Sequence, residues 1–185
     1  MQELLFGSNS VGFLALHTIN NMDDVGYLSS FLITDFKGIP LEFRCTHPIQ
    51  PTPLQIDLYG ETFLSYIGIE LLGKPLIRAV KNKPKIIFID ELFLLDLAEA
   101  SSCPIVFVKS FDTKEDPAIS QTSDSPYHLE QIKNINENFP SLEIVEKKKI
   151  KIKTKELIEK LQSEFNLTEP FQRMKKAVET IIRKN

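Results

Sequence analysis

The residues with the most chemical potential are Asp90 and Glu91, which directly follow the apolar run KIIFI. Two carboxylates at the carboxyl end of a buried strand stand where open α/β sheets usually receive ligands, and such a pair can hold a divalent cation. Another acid, Asp112, follows a second apolar run, IVFVK, with Lys114 two positions further on. Asp90, Asp112 and Lys114 therefore approximate the acid and D-x-K arrangement of metal-dependent nucleases. There carboxylates bind magnesium or manganese and the lysine helps orient water. The plainer reading is that acids close the ends of strands for solubility.

Gly68, Gly73 and Lys74 in GIELLGKP stand at the spacing of a phosphate-binding loop. That loop needs a Ser or Thr hydroxyl for the metal and a row of backbone donors around the phosphates. Pro75 occupies the hydroxyl position and removes a donor as well, while Glu70 sets a negative charge where phosphate would lie. The same residues read as an amphipathic helix that stops at Gly73, with Pro75 preventing its continuation.

EKKKIKIKTK, residues 146 to 155, carries Lys147, Lys148, Lys149, Lys151, Lys153 and Lys155. This run could meet nucleic-acid phosphates or an acidic protein face. Its alternation also fits an edge strand with Ile150 and Ile152 inward and lysines outward, which blocks pairing with other chains. His17, His47 and His128 are isolated and suggest no catalytic or metal-binding group. Cys45 and Cys103 form no zinc pattern and fit reduced thiols in a cytoplasmic protein.

Net charge is −3, but it is unevenly divided. Residues 1 to 145 carry a balance of −9 and residues 146 to 185 one of +6. No apolar run approaches the ~20 residues of a membrane span, so a soluble protein without membrane attachment is expected.

The elements that must position these groups follow from periodicity. VGFLALHTI is apolar almost throughout, as a buried strand is. Ile39, Leu41, Phe43 and Cys45 alternate with Pro40, Glu42, Arg44 and Thr46, which predicts a half-buried strand after a DFKG turn. Pro40 places that strand's start at the hairpin or the strand itself at an edge. After the stiff HPIQPTP segment, Thr52 and Pro53 open a helix whose apolar stripe is Leu54, Leu58, Phe63, Ile67 and Leu71, with a break at Gly60. KIIFI and IVFVK are buried strands flanking a short helix, ELFLLDLAEA. Tyr127, Ile132, Ile135 and Phe139 suggest another helix, LEIV and IKIK suggest strand, and two amphipathic helices, starting at Thr154 and near Thr168, form an αα-hairpin.

These elements predict an α+β fold, with mixed α/β as the alternative: a mixed sheet with an antiparallel N-terminal hairpin, one long central helix and the C-terminal αα-hairpin. Residues 1–110 form the main core, 111–126 a connecting loop and 127–185 a basic, mainly helical part packed on the core. With no intact catalytic motif, the favoured function is a non-enzymatic protein-interaction or accessory subunit with a protein partner and no cofactor. The first alternative is a magnesium- or manganese-dependent hydrolase or nuclease using Asp90, Glu91 and Asp112. The second is electrostatic nucleic-acid binding through the lysine run of the basic C-terminal region.

Overall fold

The structure is a computed structural model and describes residues 9–20, 25–111, 127–133, 138–147 and 151–183. The apolar run at the start becomes β1 (Ser10–Asn20), and it is apolar because it is central. β2 (Val25–Asp35) pairs with it antiparallel along its whole length, and β4 (Ile87–Ile89) pairs with its other edge in parallel. β3 (Pro40–Cys45) adds to β2, while β5 (Ile105–Phe111), β7 (Ser141–Glu146) and β6 (His128–Ile132) extend the sheet on the other side of β4. Seven described strands thus form one mixed sheet in the order β3-β2-β1-β4-β5-β7-β6. The fold is α+β, as the sequence predicts.

Pro40 sits on the outermost strand, opposite Thr34, where the register with β2 slips by one residue. An edge bulge is a place where a residue without an N–H costs no ladder bond. The turn before it is closed by Asp35, whose carboxylate accepts from the N–H groups of Lys37 and Ile39, both at 2.9 Å, with Gly38 at φ 81°.

Helical layers cover both faces. On one side, Val11, Phe13, Phe88, Val108 and Ile144 pack against α4 (Ile152–Glu164) and α5 (Glu169–Ile182) through Ile158, Leu161 and Met174. Phe13 stacks on Phe88 with ring centroids 5.4 Å apart and meets the edge of Phe171 at 5.7 Å. On the other side, Leu14, Ile33, Ile87 and Ile89 meet Ile69, Leu76, Leu94 and Leu95 from the segments between β3 and β5. No helix among the described residues is long and apolar enough to cross a membrane.

The long central helix is a composite. α1 (Pro53–Tyr59) starts on a capping box of Thr52 and Gln55 and ends at Gly60, the expected break. A 3₁₀ turn (Gly60–Thr62), α2 (Phe63–Ser65), a π-helical stretch (Tyr66–Gly73) and α3 (Lys74–Ala79) follow without leaving helical geometry. The helix therefore does not end at Gly73. The Lys74 N–H reaches back five residues to the Ile69 carbonyl, and the return to α geometry falls at Pro75, which has no N–H to place in either register. These changes of pitch rotate the predicted stripe out of line. Phe63 and Ile67 are buried, but Leu54, Leu58 and Leu71 are exposed.

Two further expectations change. Residues 128–132 form the edge strand β6 rather than a helix, because β7 offers an antiparallel partner that overrides a weak helical spacing. The strand expected at IKIK fails, because Lys151 is the N-cap of α4 and Ile152 lies in its first turn, 77% exposed. α4 thus begins before Thr154. The segment ELFLLDLAEA is helical as expected, but as a 3₁₀ helix (Leu92–Ala100).

Candidate functional site

Strand alternation decides which side chains meet. β1 sends Val11, Phe13 and Ala15 to the α4/α5 face, and the next residue on that face is His17. The parallel register pairs Phe13 with Phe88 and Leu14 with Ile89, so Asp90, just beyond β4, comes level with Ala15. Ile89 also pairs with Phe107, which sets Val108 of β5 level with Asp90 on its other side. Asp90 and His17 are thus polar groups at the upper end of an apolar sheet face.

α5 crosses above them. Its apolar stripe, Phe171, Met174 and Val178, docks on the sheet, which leaves Gln172, Lys175, Glu179 and Arg183 along the border of that contact. A cleft of about 620 Å³ opens between Leu16 to Asn20 of β1, Asp90, and this border of α5. It lies at the carboxyl ends of β1 and β4, on opposite sides of which the sheet changes from antiparallel to parallel.

Electrostatics within the cleft are unusual. Asp90 lines the cleft and is exposed as a residue, but neighbouring protein atoms displace part of the water around its carboxyl. That desolvation pushes the carboxyl up to about 7, its own backbone N–H partly offsets the rise, and the neighbouring Glu91 charge adds to it. His17 moves the opposite way. Burial lowers it to about 4, and the Lys175 ammonium disfavours its protonated form further. Neutral at physiological pH, its Nε2 lies 2.7 Å from the hydroxyl oxygen of the buried Ser30.

The other sequence candidates go elsewhere. Glu91 is exposed and is the N-cap residue of the 3₁₀ helix, not a cleft-lining group. Asp112 and Lys114 lie outside the described residues, as do Lys148 and Lys149. Lys147 pairs with Asp96 and Lys155 with Glu130 at 2.8 Å, while Lys151 and Lys153 are exposed. Gly68 and Gly73 cradle no phosphate. A Cβ on Gly73 would come within 2.6 Å of the Gly68 carbonyl oxygen and 2.8 Å of Leu97, and Lys74 pairs with Glu70. Both glycines are small because helices pack tightly there.

Among the described residues the cleft holds two carboxylates, Asp90 and Glu179, which come from different elements. Magnesium or manganese asks for several oxygen ligands around one point. The strand neighbours of Asp90 on this face are Ala15 and Val108, and Lys175 brings a positive charge into the same cleft. Among the described residues no group of three His, Cys, Asp or Glu side chains could hold a metal.

No protein-family model matches the chain, and no curated protein matches its sequence. Comparison with solved structures decides the fold. The fold is that of endonuclease V. The enzyme from Bacillus subtilis superposes with a TM-score of 0.60 at 10% identity, covering 96% of this chain and 83% of that one. The catalytic domain of human endonuclease V gives 0.61 at 14%, covering 95% and 83%. Ciona intestinalis endonuclease V, in complex with a 23mer DNA containing an inosine followed by a ribo-adenosine, gives 0.60 at 13%, covering 95% and 86%. These likenesses correct the expectation of a non-enzymatic interaction or accessory subunit: the three solved structures just described, which share the fold along nearly the whole chain, are endonuclease V enzymes. The expected protein partner finds no support in these comparisons.

Sequence reasoning singled out Asp90, which lines this cleft, but did not bring His17, Lys175 or the α5 border together with it. His17 continues the period-two series Val11, Phe13, Ala15, which was a usable signal. Lys175 carries none, because nothing local to α5 states which strand ends it crosses.

Proposed function

We propose that this protein acts on nucleic acid, receiving a phosphodiester backbone in the cleft between β1, β4 and α5 and hydrolysing it there, in a reducing cytoplasmic setting that suits the free thiols of Cys45 and Cys103. The observation that carries this reading is the position of Asp90: an acid with a desolvated carboxyl on the floor of a cleft at the switch point of an endonuclease V fold. The DNA held by the Ciona enzyme supports a nucleic acid as the ligand class.

The groups of this chain divide the work as follows. Asp90 accepts the proton of an attacking water, a role for which a carboxyl near 7 is well matched at neutral pH. The water oxygen forms its bond to phosphorus as the bond to one sugar oxygen breaks, and solvent protonates the departing oxygen. Lys175 and Arg183 meet the negative charge of the phosphate from α5. His17, held neutral, shapes the floor and is not the proton donor at pH 7.

The test uses 5′-labelled DNA and RNA strands, with and without inosine, incubated with wild type and Asp90→Asn. Wild type should cut at least one strand class and the variant none. A wild-type protein that neither binds nor cuts any of them ends this reading.

A further inference from the structure

We infer that the cleft engages its phosphate backbone directly through the Lys175 ammonium, with no divalent cation between protein and phosphate. This rests on the proposed function and concerns how that same site neutralises its substrate. Three observations converge on it. Among the described residues the two strand positions level with Asp90 are Ala15 and Val108, and the other carboxylate lining the cleft, Glu179, comes from α5 one turn from the Lys175 ammonium, so no group of three ligands surrounds one point. Lys175 is close enough to His17 to disfavour its protonation, and it would equally repel a dication bound at the floor. Finally, Lys175 is exposed and makes no ion pair among the described residues, whereas Lys74, Lys147 and Lys155 are each held by a carboxylate. An unpaired ammonium at the wall of a concave site is available to a phosphate oxygen.

Arg183 lies eight residues along α5 from Lys175 and lines the same cleft. Eight residues of helix span about 12 Å, roughly two inter-phosphate steps of an extended strand. A single strand running along α5 would therefore meet both cations, with its phosphates placed on either side of Glu179, which lines the cleft between them.

The test measures anisotropy of a fluorescein-labelled deoxyoligonucleotide of about twelve nucleotides, a length within the usual footprint of single-strand sites. Wild type should bind equally, within about twofold, in EDTA and in magnesium. Lys175→Ala should weaken binding by about tenfold, and Lys175→Arg should restore most of it. Lys160→Ala, on an exposed α4 position away from the cleft, should bind as wild type does. Equilibrium dialysis with manganese alone should show no bound ion. The inference is overturned if binding appears only with magnesium or manganese, if one manganese per chain is bound and lost in Asp90→Asn, or if the Lys175 and Lys160 alanine variants weaken alike. Absence of oligonucleotide binding with and without metal overturns the proposed function itself, and this inference with it.

Discussion

Two carboxylates in this fold live in opposite conditions. Glu42, on the edge strand β3, keeps only 10% of its side-chain surface exposed, although few protein atoms lie beyond it. Desolvation would raise its carboxyl, but the backbone N–H of Asn82, the Arg44 guanidinium, the Lys81 N–H and the Asn82 amide overcome this and hold it near 2. Its contacts run from 2.6 Å to Arg44 to 3.1 Å to Lys81. Asp90 has its own backbone N–H and a neighbour of like charge, and its carboxyl rises to about 7. One acid is fully ligated and fastens the 81–82 segment to the sheet. The other is left short of partners in a place where a ligand can supply them. Partial satisfaction, more than burial, separates the acid proposed to act in the cleft from the structural one here.

The contrast can be broken in order of expected effect. Asp90→Asn should lower any cleavage rate by about a hundredfold or more, the usual contribution of a positioned base, in a single-turnover assay on labelled strands. If that variant cuts as wild type does, Asp90 is a passive floor residue. Glu42→Ala should leave folding intact but cost about 2 kcal/mol, read from urea denaturation, because it orphans the Asn82 and Lys81 donors.

The pH dependence should separate the two acids by sign. Glu42 is depressed when folded, so its stabilisation is present above about 4.5 and is lost as pH falls toward 2. Asp90 is raised when folded, so the folded state keeps a proton that the unfolded chain has released above 3.8. Wild type should therefore lose stability as pH rises through about 7. Asp90→Asn should then be more stable than wild type at pH 8, by about 1 kcal/mol after allowing for the open side of the cleft, and equal to it below pH 3.8. Thermal melts at the two pH values measure this directly, and a variant less stable at both would mean that the carboxylate is well satisfied. The smallest effect belongs to His17, lowered to about 4 when folded. Its neutral form is the native one, so stability should decline from about pH 6.5 to 4, and His17→Gln should flatten that limb of the curve.

Much of the sheet was legible because its signals are local. β1, β3, β5 and β7 follow from apolar runs and one clean alternation, and Pro40 correctly marks an edge. The helix at 53–79 was legible in its start and its break at Gly60, but not in its face. A π stretch moves later residues around the axis, so Leu71 turns outward although its spacing from Ile67 looks regular. β6 was read as helix because its partner strand lies ten residues downstream and no local pattern announces it. For the site, the strand-end rule picked out Asp90 but could not separate it from Glu91. Alternation sends adjacent side chains to opposite faces, and only the register with β1 says which face α5 covers.

That cleft is assembled from residues far apart in the chain, and this fixes an order of events during synthesis. Asp90 and His17 emerge early, but the wall that desolvates them, α5, is some eighty residues behind Asp90. A nascent chain, or one clipped before Glu169, can already carry the first strands of the sheet, but it holds the acid and the histidine in open water with ordinary proton affinities. The cleft, and with it the chemistry proposed for the site, is therefore complete only when α5 is in place.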